Sequence, residues 1–328
     1  MGYVTKFAAA AFALGFVGVA QAEELSLADF QPQQHFIGET VYAPFAAAIG
    51  AATGGEVSIR VHMAGELGPG PAEQYNRVVD GVADIAFGLP GYTASNFPLT
   101  LLAELPGVLT PEGGTAAINA NIALLDSEYT RAVLVGLWNN APNLLLMGSR
   151  EVDSLDDLAG LNIRVPSRNA GLVVQAWGAN PVSMPAPEIY NAMQTGVIDG
   201  AMIDATTLGA FRLAEVTQSI TMGMDTTMSL FFLVMNRDSF DGLSEGAQQA
   251  ILTAGRDAAL AGSTAWLGVA ERALAEFAAT AGKTVVTLSA EEASRFNAAS
   301  GPVVAQIIAD ADAAGLPATA FVTALSAR

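Results

Sequence analysis

Residues Glu73–Gly88 read EQYNRVVDGVADIAFG and residues Glu188–Ile203 read EIYNAMQTGVIDGAMI. Aligned without a gap, they share Glu73/Glu188, Tyr75/Tyr190, Asn76/Asn191, Gly81/Gly196, Val82/Val197 and Asp84/Asp199. Average residue usage gives roughly one such identity in a stretch of this length. Upstream lie two further look-alikes, SIRV (Ser58–Val61) and NIRV (Asn162–Val165). Residues 57–61 and 161–165 alternate β-branched or leucine side chains with polar ones, the pattern of a strand. Pro71 and Pro187 each precede a helical stretch, where a missing N–H costs nothing. Tyr75 with Val78 and Val79, and Ile189 with Met193, recur at the three- and four-residue spacing of a helix face. Gly81 and Gly196 end those helices, and Ile85–Phe87 and Ala201–Ile203 begin the next strands. Each half is thus a strand–helix–strand unit. Whether by duplication or by convergent punctuation of two ordinary units, the reading is an α/β protein of two lobes.

The rest of the chain fits that reading. Residues 36–53 carry Val41, Phe45, Ala48 and Ala52 on one helical face and stop at Gly54-Gly55. Residues 244–282 and 290–312 are long helical stretches, with a short strand between them at Thr284–Leu288. Strands crossing near 141–150 and 226–236 are the expected hinge, which puts a ligand between the lobes. The first lobe is expected at 23–146 plus 231–262, and the second at 147–230 plus 263–328.

Composition removes most chemistry. The chain has 328 residues, of which 14% are charged, against about 25% in an average protein. Its net charge is −18, with only two lysines, Lys6 and Lys283. A basic stripe is absent, so nucleic acid is no partner. Without cysteine there is no disulfide, thiolate site or cysteine nucleophile. With two histidines, His35 and His62, no metal site or other cofactor is expected. Lys6, the apolar run Phe7–Ala20 and the small residues Ala20 and Ala22 form the pattern of a cleaved signal peptide over residues 1–22. No G-x-S-x-G elbow occurs. The adjacent acids Asp156-Asp157 and Glu291-Glu292 do not face one another on a helix, so they read as solvated surface. A binder rather than an enzyme is expected, with a secreted hydrolase as the weak rival.

The run DSLDDLAGLNIRVPSRNAGLVVQAWGANPVSMPAPEIYNAMQTGVIDGAMI (Asp153–Ile203) resembles the substrate-binding proteins of TRAP transporters, the DctP-like family. The resemblance continues through Gly65–Gly107 and Phe231–Ile251. It implies a periplasmic binding protein fold, type II-like, with hinge strands and long C-terminal helices. It also implies a periplasmic receptor that closes over a small organic acid and delivers it to small and large membrane subunits driven by an ion gradient. A receptor of another transport or sensor system is the alternative. The family's anchor is the arginine of the IRVP strand, here Arg164. The chemistry agrees, because a planar guanidinium fork grips a carboxylate through two parallel hydrogen bonds. The sialic-acid-type members have a second arginine where this chain has Asn143, and an asparagine where it has Ile203. A single fixed cation suggests a monocarboxylate with an apolar or aromatic body.

Other candidates have two readings each. Tyr92 and Phe97 lie in LPGYTASNFP, a loop leaving the carboxyl end of a strand, where ligands bind and where rings also simply pack. His35 could donate to a carboxylate or cap the helix that follows it. Met184 and Phe231 could wall the cleft or fill a core.

Overall fold

A computed structural model describes residues 22–326, and the leader read at residues 1–22 lies, Ala22 apart, outside them. Two sheets organise the chain. The first is formed by β1 (Glu23–Ala28), β2 (Val57–His62), β3 (Ile85–Gly88), β4 (Ala132–Asn139) and β10 (Leu230–Asn236), in the order β2-β1-β3-β10-β4. The second contains β5 (Leu144–Met147), β6 (Asn162–Val165), β7 (Asn180–Ser183), β8 (Gly200–Ile203), β9 (Ser219–Met222) and β11 (Thr284–Thr287), in the order β11-β9-β5-β8-β6-β7. Strands β1, β2 and β3 run parallel, as do β6, β7 and β8. Each sheet is buried on both faces. Along β3 and β10, Ile85, Phe87, Leu233 and Met235 enter one core while Ala86, Phe232 and Val234 enter the other.

Helices connect the parallel strands. In the first lobe α1 (Ala43–Ala52), entered through a π turn at Gly38–Tyr42, links β1 to β2, and α2 (Gln74–Val79) links β2 to β3. A short helix, α3 (Gly114–Ala120), precedes β4. In the second lobe α4 (Arg168–Ala176) links β6 to β7 and α5 (Ile189–Gln194) links β7 to β8. The two short helices α6 (Thr207–Ala210) and α7 (Arg237–Asp241) follow β8 and β10. The repeated sixteen residues are therefore α2–β3 and α5–β8. Gly81 and Gly196 both turn the chain at positive φ, 71° and 72°. Asp84 then accepts the Ser26 N–H of β1 at 2.8 Å, and Asp199 accepts the Asn162 N–H of β6 at 2.7 Å. That equivalence makes β6 the counterpart of β1, and β7 of β2. SIRV and NIRV, matched by sequence, are therefore not structural equivalents: β2 is an edge strand and β6 lies between β7 and β8.

The lobe limits also need correcting. The chain crosses between sheets at residues 140–143 and 223–229, so Leu144–Leu146 belong to the second lobe's sheet, not the first. Helix α8 (Glu245–Ala279) runs along both lobes: Ile251 and Trp266 pack in the first, Ala270 and Phe277 in the second. Helix α9 (Ala290–Ala313) starts on the second lobe through Phe296 and ends on the first through Val304 and Ile308. Helix α10 (Ala318–Ser326) buries Phe321 and Leu325 in the first lobe's core. The C-terminal residues assigned to the second lobe thus cross back. Their apolar faces are continuous, and a continuous face carries no mark of which lobe it covers. Among the described residues no helix is long and apolar enough to cross a membrane.

Candidate functional site

Between the lobes, at the carboxyl ends of β3, β6 and β8, lies a cleft lined by residues of both lobes and of helix α8. Arg164 occupies the end of β6 and is 1% exposed. Its Nε–H donates to the Met184 carbonyl at 2.9 Å, and Nη1 and Nη2 reach the Met202 carbonyl and the Tyr92 hydroxyl, both at 3.4 Å. A guanidinium has five N–H donors, so one remains on each terminal nitrogen. No carboxylate among the described residues forms a salt bridge with it, and burial pulls its pKa below the ordinary arginine range. Removing a charge from water without a partner costs several kcal/mol. An anion against those two N–H groups would offset that cost.

Tyr92 comes from a 3₁₀ segment, Pro90–Asn96, that follows β3. Its oxygen accepts from Arg164 and from the Ala186 N–H at 2.9 Å, which takes both lone pairs and leaves its own O–H free to donate. Burial raises the Tyr92 pKa against the lowering influence of Arg164, so the phenol stays protonated. His35 caps the turn after it, its Nδ1 accepting the Ile37 N–H at 3.2 Å, which puts the ring proton on Nε2. Burial pushes its pKa down to about 4. It stacks on Phe36 with centroids 4.3 Å apart, a neutral donor on the cleft wall. Both sequence readings of His35 are compatible with this geometry.

Apolar walls complete the cleft: Phe30, Leu89, Ile203, Phe211, Phe231 and Trp266. Trp266 of α8 packs against Phe231 at 4.7 Å and against Phe36 at 4.6 Å. On the floor, Asp204 accepts from Asn140 Nδ2 at 2.8 Å and from the Thr206 N–H at 2.9 Å. Burial raises its carboxyl pKa, against the lowering effect of those donors. Several bonds tie one lobe to the other: Tyr92 to Ala186, the Ser167 hydroxyl to Glu104 at 2.6 Å, and Asn169 Nδ2 to the Leu101 carbonyl at 3.2 Å. The lobes are closed.

Of the residues singled out in sequence, Arg164, Tyr92, His35 and Phe231 meet in this cleft. Phe97 does not; it is fully buried in the first lobe among Tyr75, Tyr129 and Phe232, because the 3₁₀ segment turns it inward. Met184 meets Arg164 only through its carbonyl, while its side chain packs in the second lobe. Asn143 is engaged within the crossover, donating to Thr227 Oγ1 at 3.0 Å and accepting from Asn140 at 3.1 Å. Asn140, Gln31, Asp204 and Trp266 were missed. The Asn-Asn pair at 139–140 in a hinge segment was the available signal for the first. A wider groove, about 690 Å³ against about 30 Å³ for the closed cleft, opens past His35 and Phe211 along α8. Its charged residues Arg212, Arg272 and Glu276 are exposed, and Arg212 is paired with Glu215 at 2.8 Å, so nothing there waits for a ligand.

The model of the bacterial extracellular solute-binding protein family 7, DctP, matches residues 27–311. A solute-binding protein of Albidiferax ferrireducens is 27% identical over 191 residues, an alignment spanning little more than half of each chain, 56%. Among solved structures, a TRAP solute binding protein from a marine metagenome, specific for aromatic acid ligands and holding metahydroxyphenylacetate, superposes with a TM-score of 0.86 at 25% identity. That match covers 93% of this chain and 97% of the other. A TRAP periplasmic solute binding protein of Bordetella bronchiseptica, with bound (R)- and (S)-mandelate, gives a TM-score of 0.84 at 26% identity, covering 92% and 97%.

Proposed function

This chain belongs to the DctP family of bacterial extracellular solute-binding proteins, family 7, and from that membership we propose that it captures a small organic acid between its lobes. We infer delivery in the periplasm to the small and large membrane subunits of a TRAP transporter, after export through the leader at residues 1–22, with the ligand chemically unchanged. The observation that carries the reading is Arg164, a buried cation with two unused N–H groups beside a free Tyr92 hydroxyl. A carboxylate completes both through a bidentate bond and a third donor.

The walls favour a monocarboxylate with an apolar or aromatic body. A second carboxylate would lie against Ile203 or near Asp204, where an unpaired charge costs several kcal/mol. Burying a ring there gains roughly 1.5–3 kcal/mol. The solved relatives carrying hydroxyphenylacetate and mandelate agree with that preference. A thermal-shift screen of benzoate, mandelate, succinate and glucuronate tests it. At a hundredfold excess over its dissociation constant a ligand adds about 2.7 kcal/mol, a rise on the order of 5 °C or more. The aromatic acids are expected to give that rise and to be recovered unaltered. Succinate or glucuronate outcompeting them would contradict the ligand class.

A further inference from the structure

Two acceptors in the cleft have no hydrogen-bond partner. Asn140 Oδ1 and Gln31 Oε1 are both buried, in residues 1% and 4% exposed, and both residues line the cavity that Arg164 faces. Buried polar atoms are nearly always satisfied, and each orphan calls for a reason. For Asn140 the orientation is not in question, because Nδ2 is held by two acceptors, Asn143 Oδ1 at 3.1 Å and Asp204 Oδ2 at 2.8 Å. Turning the amide over would set its oxygen against both of them. The crossover segment therefore fixes the amide's orientation and leaves its oxygen without a partner in a residue that lines the cavity. Gln31 comes from the first lobe, just after β1, held by its backbone N–H on Asp29 Oδ1 at 2.8 Å, and its terminal amide is free to present either end.

We propose that the ligand is a hydroxy acid, its carboxylate on Arg164 of the second lobe and its hydroxyl donating to Asn140 Oδ1 while accepting an N–H from the Gln31 amide of the first lobe. The proposal rests on carboxylate capture at Arg164 and adds a second point of recognition across the hinge. A hydroxyl is the matching group because it has one O–H for the neutral Asn140 oxygen and lone pairs for an N–H of the Gln31 amide, and it imports no charge. A ligand ammonium would be a second buried cation beside Arg164, and the nearest anion, Asp204, already has both oxygens engaged by Asn140 and Thr206. The site would also reject the deoxy acid, which leaves Asn140 Oδ1 dry.

Calorimetric titration with matched pairs decides this. Mandelate and phenylacetate differ by one hydroxyl, as do 2-hydroxyisocaproate and isocaproate, and phenylglycine carries the ammonium. The wild type is expected to bind the hydroxylated member of at least one pair about tenfold or more tighter than its twin. Asn140→Leu should shrink that ratio to below about threefold, whatever it does to absolute affinity. Gln31→Leu, which removes no side-chain bond inside the protein, should shrink it too and serves if Asn140→Leu does not fold. Twins bound equally in both pairs, or phenylglycine preferred to mandelate, would overturn the proposal. If phenylacetate still binds in that case and Arg164→Ala abolishes it, carboxylate capture stands and only the hydroxyl reading falls. Binding of none of these acids would remove both.

Discussion

Arg60 and Arg164 occupy the same place in SIRV and NIRV, and their surroundings could hardly differ more. Arg60 lies on the edge strand β2, with a side chain 63% exposed and a loose 3.6 Å contact to Glu24. Arg164 lies inside the second sheet with no carboxylate partner, and only the strand order separates the two cases. At the lobe contact, Glu104 is 2% exposed, accepts from Ser167, and burial pushes its carboxyl up to about 8. A carboxyl kept protonated in the native state, but free to ionise at its ordinary 4.5 when unfolded, removes stability as pH climbs from 4.5 towards 8. Asp29, pushed up to about 7 by burial, acts in the same direction up to that pH. His35, pushed down to about 4, acts oppositely, losing stability as pH falls below 6.5. Between pH 7 and 8 the melting temperature should therefore fall, and Glu104→Gln should flatten that slope. The effect is at most about 1.4 kcal/mol per pH unit for one proton. A slope unchanged in Glu104→Gln would refute it. Arg164 was legible through the family resemblance that its IRVP strand carries, since strand pattern and guanidinium alone describe Arg60 equally well. Asn140 was not, since nothing in sequence says which of two hinge asparagines, Asn140 or Asn143, is held by neighbours and which has a free oxygen.

The elements were legible wherever a glycine or a period marked them. The α2–β3 and α5–β8 units stand where the repeated sixteen residues put them, and α8, α9 and β11 fall close to their expected bounds. Two glycines of different kinds make a sharp test. Gly196 ends α5 at φ 72° with open space where a Cβ would stand, so Gly196→Ala should cost about 1 kcal/mol, from backbone strain alone. Gly255 lies within α8, where alanine normally gains about 1 kcal/mol over glycine. Here a Cβ would come within 2.2 Å of the Val135 carbonyl oxygen of β4, so the sign should reverse, with a loss of about 1–3 kcal/mol or more. Denaturant melts of both variants check the pair, and a stabilised Gly255→Ala would mean that α8 does not press on β4. The SIRV match misled because four residues of strand pattern recur by chance, and strand order is set by connections that pattern does not encode.

At the scale of the molecule, two lobes and a hinge followed from the doubled unit and its length. The return of α9 and α10 to the first lobe did not, since Val304 and Ile308 look the same against either core. Opening the cleft must part Tyr92 from Ala186, Ser167 from Glu104 and Asn169 from Leu101. A ligand bridging Arg164 of one lobe and Tyr92 of the other favours the closed state by its differential affinity. Small-angle scattering should therefore give a larger radius of gyration without ligand than with saturating mandelate, and identical curves would remove the hinge from the account. The central claim is that Arg164 carries the ligand's carboxylate, and calorimetric titration of the best-binding acid into wild type and Arg164→Ala tests it most directly. Removing one member of a buried charge pair costs about 2–5 kcal/mol, so affinity should fall on the order of thirtyfold or more, with Arg164→Lys also weak because a point charge makes no fork. Binding by Arg164→Ala within about threefold of wild type would place the anchor elsewhere.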